Sequence, residues 1–178
     1  MDTNTEEKYK MFVFGLEEAG KTALISTFQE NKTVKDTEPT LNLLVSKYFT
    51  DNVKFMVWDA PGQVNCRNTW EKGFSYADLL VFVLDVSEKQ KFEEAKEEFK
   101  RVLEETKKGV YDTPKIVFCF HKMDLDEAKE NLEEAKEFFN LKQYKSRKIV
   151  WFETSIYHLD KLKELKKILE EIAMGIYF

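Results

Sequence analysis

The sequence predicts an α/β fold: a mostly parallel β-sheet with helices on both faces. Three observations predict it. At 178 residues the chain has the length of one domain. Short apolar runs of strand type alternate with charged segments of helical period from one end to the other. The runs Leu79–Asp85 (LLVFVLD) and Lys115–His121 (KIVFCFH) are apolar without alternation, as expected for strands covered on both faces.

Residues 9–14 (YKMFVF) end at Gly15 and read as the first buried strand. Thr22–Gln29 reads as the first helix. Leu41–Thr50 and Val53–Trp58 are rich in β-formers and separated by Asp51-Asn52, a turn signal, so they pair as an antiparallel hairpin. A second helix is expected between the hairpin and Leu79–Asp85. A long helix follows, roughly Ser87 to Lys107, with Phe92, Ala95, Phe99, Val102 and Leu103 at helical spacing and a solvated face in the charged run Glu93–Lys108. Lys115–His121 and Lys148–Glu153 (KIVWFE) are further buried strands. A helix near Leu125–Phe139 separates them, and a last one from about Leu159 sets Leu162, Leu165, Ile168, Leu169 and Ile172 on one stripe. Phe12, Phe14, Phe118 and Phe120 read as core rather than base-stacking platforms, because the residues between them are apolar too. No repeat or linker suggests a second domain. The expected layout is a loosely held N-terminus at 1–7, one domain at 8–174 and a short tail at 175–178.

Hydrophobic residues make up 43% and charged residues 34%, enough for a core beneath a charged surface, which excludes wholesale disorder. The net charge of −5 argues against an electrostatic hold on nucleic acid or an anionic membrane. The longest apolar runs fall far below the ~20 residues of a membrane helix. The start MDTNTEEKYK has no signal-peptide character, so a cytoplasmic chain is expected. Asp2 excludes N-myristoylation and the end MGIYF offers no cysteine to prenylate, so no direct lipid anchor is expected. Cys66 and Cys119 fit a reducing compartment and form no zinc spacing.

In such sheets ligands bind beyond the carboxyl ends of the strands, so the residues just after each strand carry the chemistry. After the first comes Gly15-Leu16-Glu17-Glu18-Ala19-Gly20-Lys21-Thr22, matching G-x-x-x-x-G-K-[ST]. Such a loop turns backbone N–H groups of Glu18, Ala19, Gly20 and Ala23 toward phosphates at a helix N-terminus. Lys21 reaches the outer phosphates, and the Thr22 hydroxyl is placed to ligate Mg²⁺. After the third strand come Asp59-Ala60-Pro61-Gly62-Gln63. Asp59 reads as the second support for Mg²⁺ through a water, Gly62 as an N–H donor to a terminal phosphate, and Gln63 as the residue that orients an attacking water. After the fifth strand comes His121-Lys122-Met123-Asp124. The Asp124 carboxylate can accept two parallel hydrogen bonds from guanine, which adenine cannot supply, while Lys122 lays its stem along the base. After the sixth, Glu153-Thr154-Ser155-Ile156 offers loop N–H groups, at Ser155 and Ile156, to the guanine O6.

Together these motifs resemble the small GTPases of the Ras superfamily, over essentially the whole chain from about Lys8 to Ile172. GLEEAGKT, the Trp58-Asp59 pair and the spacing of Gln63, Arg67 and Trp70 look like the Arf family. DAPGQ, HKMDL and TSIY look more like the Rag/Gtr family, where histidine commonly begins the guanine motif. The chain thus reads as a small archaeal-type GTPase related to both. The resemblance implies a P-loop NTPase G domain: six strands, mostly parallel with one antiparallel edge strand, and five helices on both faces. It implies GTP and GDP as ligands, Mg²⁺ as cofactor, and activator, exchange-factor and effector proteins as partners. Thr40 matches the first-switch threonine that meets Mg²⁺ only while a γ-phosphate is present, so residues 31–42 and 62–74 are the segments expected to change shape. Gln63 and Lys21 would carry the catalysis.

Several residues depart from the family pattern. Glu17 stands where many relatives have glycine; a carboxylate there is repelled by a γ-phosphate and is expected to point outward. Asn42 stands where Arf proteins carry glycine. No arginine precedes Thr40 in the first switch, so no arginine finger is supplied in cis there. Such a finger is worth ~10³–10⁵ in turnover, and hydrolysis near ~10⁻⁴ s⁻¹ is expected. Arg67 is read as solvated or partner-facing, Cys66 as a surface residue of the second switch, and His158 as a helix-start or surface residue. Two other functions compete with a slow GTP switch. One is a nucleotide-locked binding module with negligible turnover, which Glu17 favours and Gln63 opposes. The other is a P-loop ATPase or small-molecule kinase, which Asp124 opposes.

Overall fold

The architecture was determined from a computed structural model, which describes residues 9–106 and 113–178. The N-terminus at 1–7 and the end of the long helix at Lys107 lie outside the described residues. Six strands form one sheet in the order β2-β3-β1-β4-β5-β6. They are β1 (Tyr9–Phe14), β2 (Leu44–Phe49), β3 (Lys54–Asp59), β4 (Leu79–Asp85), β5 (Lys115–His121) and β6 (Ile149–Glu153). Only β2 runs antiparallel, paired with β3 from Leu44 opposite Asp59 to Phe49 opposite Lys54; the other pairings are parallel. The hairpin and the parallel sheet are thus as the sequence predicts.

The helices are α1 (Lys21–Glu30), α2 (Glu71–Phe74), α3 (Phe92–Glu105), α4 (Asp126–Phe139) and α5 (Leu159–Ala173). The second differs from expectation in extent: residues Val64–Thr69 form a 3₁₀ turn, and only four residues of α-helix follow. The reason lies in Trp70, which is fully buried and donates its indole N–H to the carbonyl of Pro61 at 2.7 Å. That anchor folds the segment back on the loop it leaves, which leaves little length for regular helix.

Alternation along the strands separates two apolar layers. Phe12, Phe14, Phe82, Phe118 and Phe120 point to one face, packed with Trp70, Phe99 and Phe139 from the segments around α2 to α4. Met11, Val13, Val81, Val83, Val117 and Cys119 point to the other, against Leu24 and Phe28 of α1 and Leu162, Leu165, Leu169 and Ile172 of α5. The strand phenylalanines are therefore core, in tilted and edge-on contacts such as Phe82–Phe118 at 5.0 Å. The five apolar positions read on α3 are all buried. Among the described residues no helix is long and apolar enough to cross a membrane.

The winding reverses at β1, whose neighbours β3 and β4 are reached in opposite directions. A cleft at the carboxyl ends on this reversal is where an open α/β sheet places its ligand.

Candidate nucleotide-binding site

A cavity of about 460 Å³ opens at that point. Its lining draws on four strand ends: Glu18, Gly20, Lys21, Thr22 and Ala23 after β1, Gly62 and Gln63 after β3, His121, Lys122 and Asp124 after β5, and Ile156 after β6. Thr40 closes it from the segment between α1 and β2. Of the residues singled out in the sequence, Ala19, Asp59 and Ser155 lie behind this lining. Ala19 is buried in the α1 core, and the other two hold lining residues in place.

The turn into α1 starts at Gly20, whose φ of +91° disfavours any side chain; an added Cβ would also lie 2.9 Å from the ring of His121. Lys21, on the first turn of α1, is 6% exposed and donates from Nζ to the Leu16 carbonyl at 2.7 Å. Burial lowers its pKa to about 8, against the opposing pull of Asp59 and Glu17. An ammonium held this way is desolvated in advance and gains strongly from an anion.

Thr22, Thr40 and Asp59 converge on one point. The Thr22 hydroxyl donates to Asp59 Oδ2 at 2.6 Å, and the Thr40 hydroxyl lies 2.8 Å from that of Thr22 and 3.3 Å from Asp59 Oδ2. Burial pushes the Asp59 carboxyl up from its usual range, partly offset by the two hydroxyls and Lys21. Its other oxygen, Oδ1, is buried without a hydrogen-bond partner among the described residues. A buried carboxylate oxygen without a donor is costly. Together with two hydroxyls it forms an all-oxygen donor set of the kind a small hard dication takes.

At the far end, Ser155 Oγ donates to Asp124 Oδ1 at 2.5 Å and itself accepts from the Tyr157 N–H at 3.1 Å. One carboxylate oxygen is thus fixed, and the group is oriented along the cavity. Lys122, at φ +63°, pairs with Asp85 across 2.6 Å, which holds its stem beside the cavity. His121 is fully enclosed, with Nδ1 2.8 Å from the Thr154 hydroxyl; burial lowers its pKa to about 4. It is neutral near pH 7 and packs the phosphate loop against the β6 loop.

Gly62 lies where an added Cβ would meet Glu17 N and the Leu16 carbonyl group at 2.4–2.5 Å, so the β3 loop touches the phosphate loop backbone to backbone. Beside it, Gln63 Nε2 donates to Glu17 Oε1 at 3.0 Å. Glu17 is exposed, but it lines the cavity rather than turning away from it, and it is engaged by the glutamine. Cys66 is half-buried and His158 sits at the start of α5.

Arg67 corrects the reading of its sequence position. It is 5% exposed, not solvated or partner-facing: Nε donates to the Gly62 carbonyl, and Nη1 lies 2.8 Å from Glu94 and 3.2 Å from Glu98 on α3. Arg101 pairs with Glu98 at 2.9 Å, and Arg147 donates to the Leu103 carbonyl at 3.0 Å. All three arginines are engaged away from the cavity. The sequence reading also missed Lys35 and Tyr157, which line the cavity with the Lys35 ammonium 5.1 Å from the Tyr157 ring centre. Beside them the Thr33 hydroxyl donates to the Ile156 carbonyl at 2.9 Å. No local motif marks these contacts, since they join segments more than 120 residues apart.

The structure is similar to the Arl6 BBS3 small GTPase from Trypanosoma brucei with a bound nucleotide analogue, GppNp, at a TM-score of 0.82 and 24% identity, covering 95% of this chain and 99% of that one. Human ADP-ribosylation factor-like protein 5A is 28% identical over 85 residues, 48% of this chain and 47% of its own length. ADP-ribosylation factor-like protein 6 from Danio rerio is 30% identical over 92 residues, 51% and 50% of the two chains. The chain thus spans about half the length of the curated relatives it matches. The family pattern itself extends much further, over residues 1–172, and on that match the chain belongs to the ADP-ribosylation factor family.

Proposed function

We propose that the chain is a GTP-binding switch that hydrolyses GTP to GDP slowly, built on one G domain at residues 8–174. The observation that carries this is the arrangement of one cavity with Lys21 and the Thr22–Thr40–Asp59 cluster at one end and the Ser155-fixed Asp124 at the other. Phosphates would lie over the N-terminus of α1, held by loop N–H groups and by Lys21. Asp124 would accept from the guanine N1–H and N2–H₂, which adenine lacks, while Lys122 flanks the base.

Thr22, Thr40 and Asp59 would hold Mg²⁺, directly for the hydroxyls and through a water for Asp59. When bound, the ion supplies charge neutralisation for the phosphates. Gln63 would orient the attacking water and Gly62 would donate its N–H to the γ-phosphate. Loss of that phosphate removes the reason for Thr40 and Gly62 to face inward. Residues 31–42 and 62–74 are therefore the surfaces that activator, exchange-factor and effector proteins would read. The three arginines are engaged elsewhere, which supports slow turnover without a partner.

The Gln63–Glu17 hydrogen bond favours a second reading, a nucleotide-locked module with negligible turnover. Competition of GTP and ATP for the purified chain, followed by single-turnover phosphate release, tests both. Preference for GTP with a rate near 10⁻⁴ s⁻¹ supports the switch. Equal affinity for ATP overturns the guanine assignment, unaided turnover above about 1 s⁻¹ overturns the slow timer, and no turnover above solution hydrolysis favours the locked module.

A further inference from the structure

We propose that Glu17 restrains Gln63, so that the phosphate loop of this chain holds its own hydrolysis in check; the proposal rests on the GTPase reading above.

The argument begins with the backbone. Gly62 is seated against the peptide between Leu16 and Glu17, so closely that a methyl group has no room. Its carbonyl is held by Arg67 Nε at 2.8 Å. Two contacts thus fix the start of the β3 loop relative to Glu17. Gln63, the next residue, has little freedom to relocate by its backbone, and its side-chain torsions decide where the amide goes. In the structure they bring Nε2 within 3.0 Å of Glu17 Oε1.

That partner is a carboxylate. A hydrogen bond from an amide to an ionised acceptor is about twice as strong as one between neutral groups. The competing task of Gln63 is neutral: its oxygen must accept from the attacking water while its nitrogen faces the phosphoryl oxygens. Glu17 lines the cavity beside Gln63, and while it holds the Gln63 nitrogen that nitrogen is not free to face the phosphoryl oxygens. Among the described residues Glu17 has no ion-pair partner. Lys21 feels its charge, but the Lys21 ammonium is buried and bonded to the Leu16 carbonyl. Lys91, on the neighbouring segment, approaches Glu18 rather than Glu17, at 3.7 Å.

The restraint is partial, because the pair is exposed and water competes for both ends. Releasing Gln63 should therefore speed hydrolysis by about three- to tenfold, far less than an arginine finger supplies.

Single-turnover phosphate release from the full chain loaded with GTP and Mg²⁺ tests this, comparing wild type with Glu17→Ala and Glu17→Gln, each also made together with Gln63→Leu. The alanine variant is expected to be about three- to tenfold faster, and the glutamine variant, which keeps an acceptor oxygen without the charge, intermediate. Neither gain should survive in the Gln63→Leu background. The side-chain amide resonance of Gln63, identified by its loss in Gln63→Leu, should shift in Glu17→Ala, which a merely structural role for Glu17 would not produce. A rate equal to or below wild type, or a gain that persists without Gln63, overturns the proposal. If Glu17→Ala fails to fold, Glu17→Gln decides alone: faster supports the restraint and unchanged overturns it. Failure of wild type to prefer GTP over ATP overturns the underlying reading, whereas normal guanosine binding with turnover independent of Glu17 overturns only this inference.

Discussion

Arg67 donates from Nε to the carbonyl of Gly62 at 2.8 Å, and with the same guanidinium reaches Glu94 and Glu98 of α3. One buried side chain therefore clamps the turn after β3 to a helix on the same face of the sheet. Removing it by Arg67→Ala deprives the Gly62 carbonyl of this donor and leaves Glu98 held by Arg101 alone. Stability should fall by about 2–3 kcal/mol, read as a lower urea midpoint with unchanged slope. Arg67→Lys keeps the charge but cannot reach all three acceptors at once, so it should recover less than half of the loss. If Arg67→Ala unfolds at the wild-type midpoint, packing alone holds the turn.

Gly62 is the position where the β3 loop and the phosphate loop have no room for a side chain. In Gly62→Ala the new methyl group would overlap backbone atoms of Leu16 and Glu17, and neither loop can turn aside as a side chain would. The β3 loop must retreat, and with it the Gly62 N–H. Affinity for a non-hydrolysable GTP analogue should drop by about tenfold or more, while GDP, which has no γ-phosphate to meet that N–H, should lose far less. Titration of both nucleotides against the variant checks this; equal losses would mean that Gly62 acts on the fold and not on the terminal phosphate.

His121 makes the fold sensitive to acid. Burial lowers its pKa from 6.5 to about 4, with Lys122 adding to the shift and Asp85 and Asp124 opposing it. The unfolded chain therefore takes up the proton first. Stability from the neutral ring is complete above pH 6.5 and is lost as pH falls toward 4, by an amount on the order of 3 kcal/mol. Asp59, raised by burial, changes stability with the opposite sign, so the comparison must be between variants at each pH. Between pH 7 and 4, wild type should lose more stability than His121→Asn, whose amide can still bond Thr154 without titrating. Parallel losses would remove His121 as the cause.

Much of this site can be read from the chain because its chemistry is written locally. GLEEAGKT, DAPGQ and HKMD each lie in a few consecutive residues at the end of an apolar run, and the sheet order brings those ends together. The strand limits of β4 and β5 fall where the apolar runs stop, since both faces of those strands are covered. Arg67 was not legible. Its surroundings in sequence, Asn65-Cys66 and Asn68-Thr69, are polar, and only α3, some 30 residues on, makes its burial favourable by supplying Glu94 and Glu98. The short α2 was hidden for a similar reason, because the bond from Trp70 to Pro61 that folds the segment back has no periodic signature.

The contacts between the segment after α1 and the β6 loop give the last prediction. Thr33 donates to the Ile156 carbonyl at 2.9 Å, and Lys35 stands over Tyr157 at 5.1 Å. Lys35, Ile156 and Tyr157 all line the cavity, so this clasp joins two of its walls, and loosening it should ease nucleotide release. A part-buried neutral hydrogen bond contributes about 1 kcal/mol, and a cation–π contact at an exposed site about 0.5–1 kcal/mol. Thr33→Ala should therefore speed release of a fluorescent GDP analogue by about two- to fivefold, and Lys35→Ala by a similar or smaller factor. Because the two contacts are neighbours on one segment, the double variant should gain less than the product of the single effects. The role proposed for Gln63 uses neither residue, so the hydrolysis rate of bound GTP should stay at the wild-type value. Unchanged release in the double variant would assign retention of the base to Asp124 and Lys122 alone, and a slowed hydrolysis step would mean that the clasp also positions Thr40, seven residues from Thr33 on the same segment.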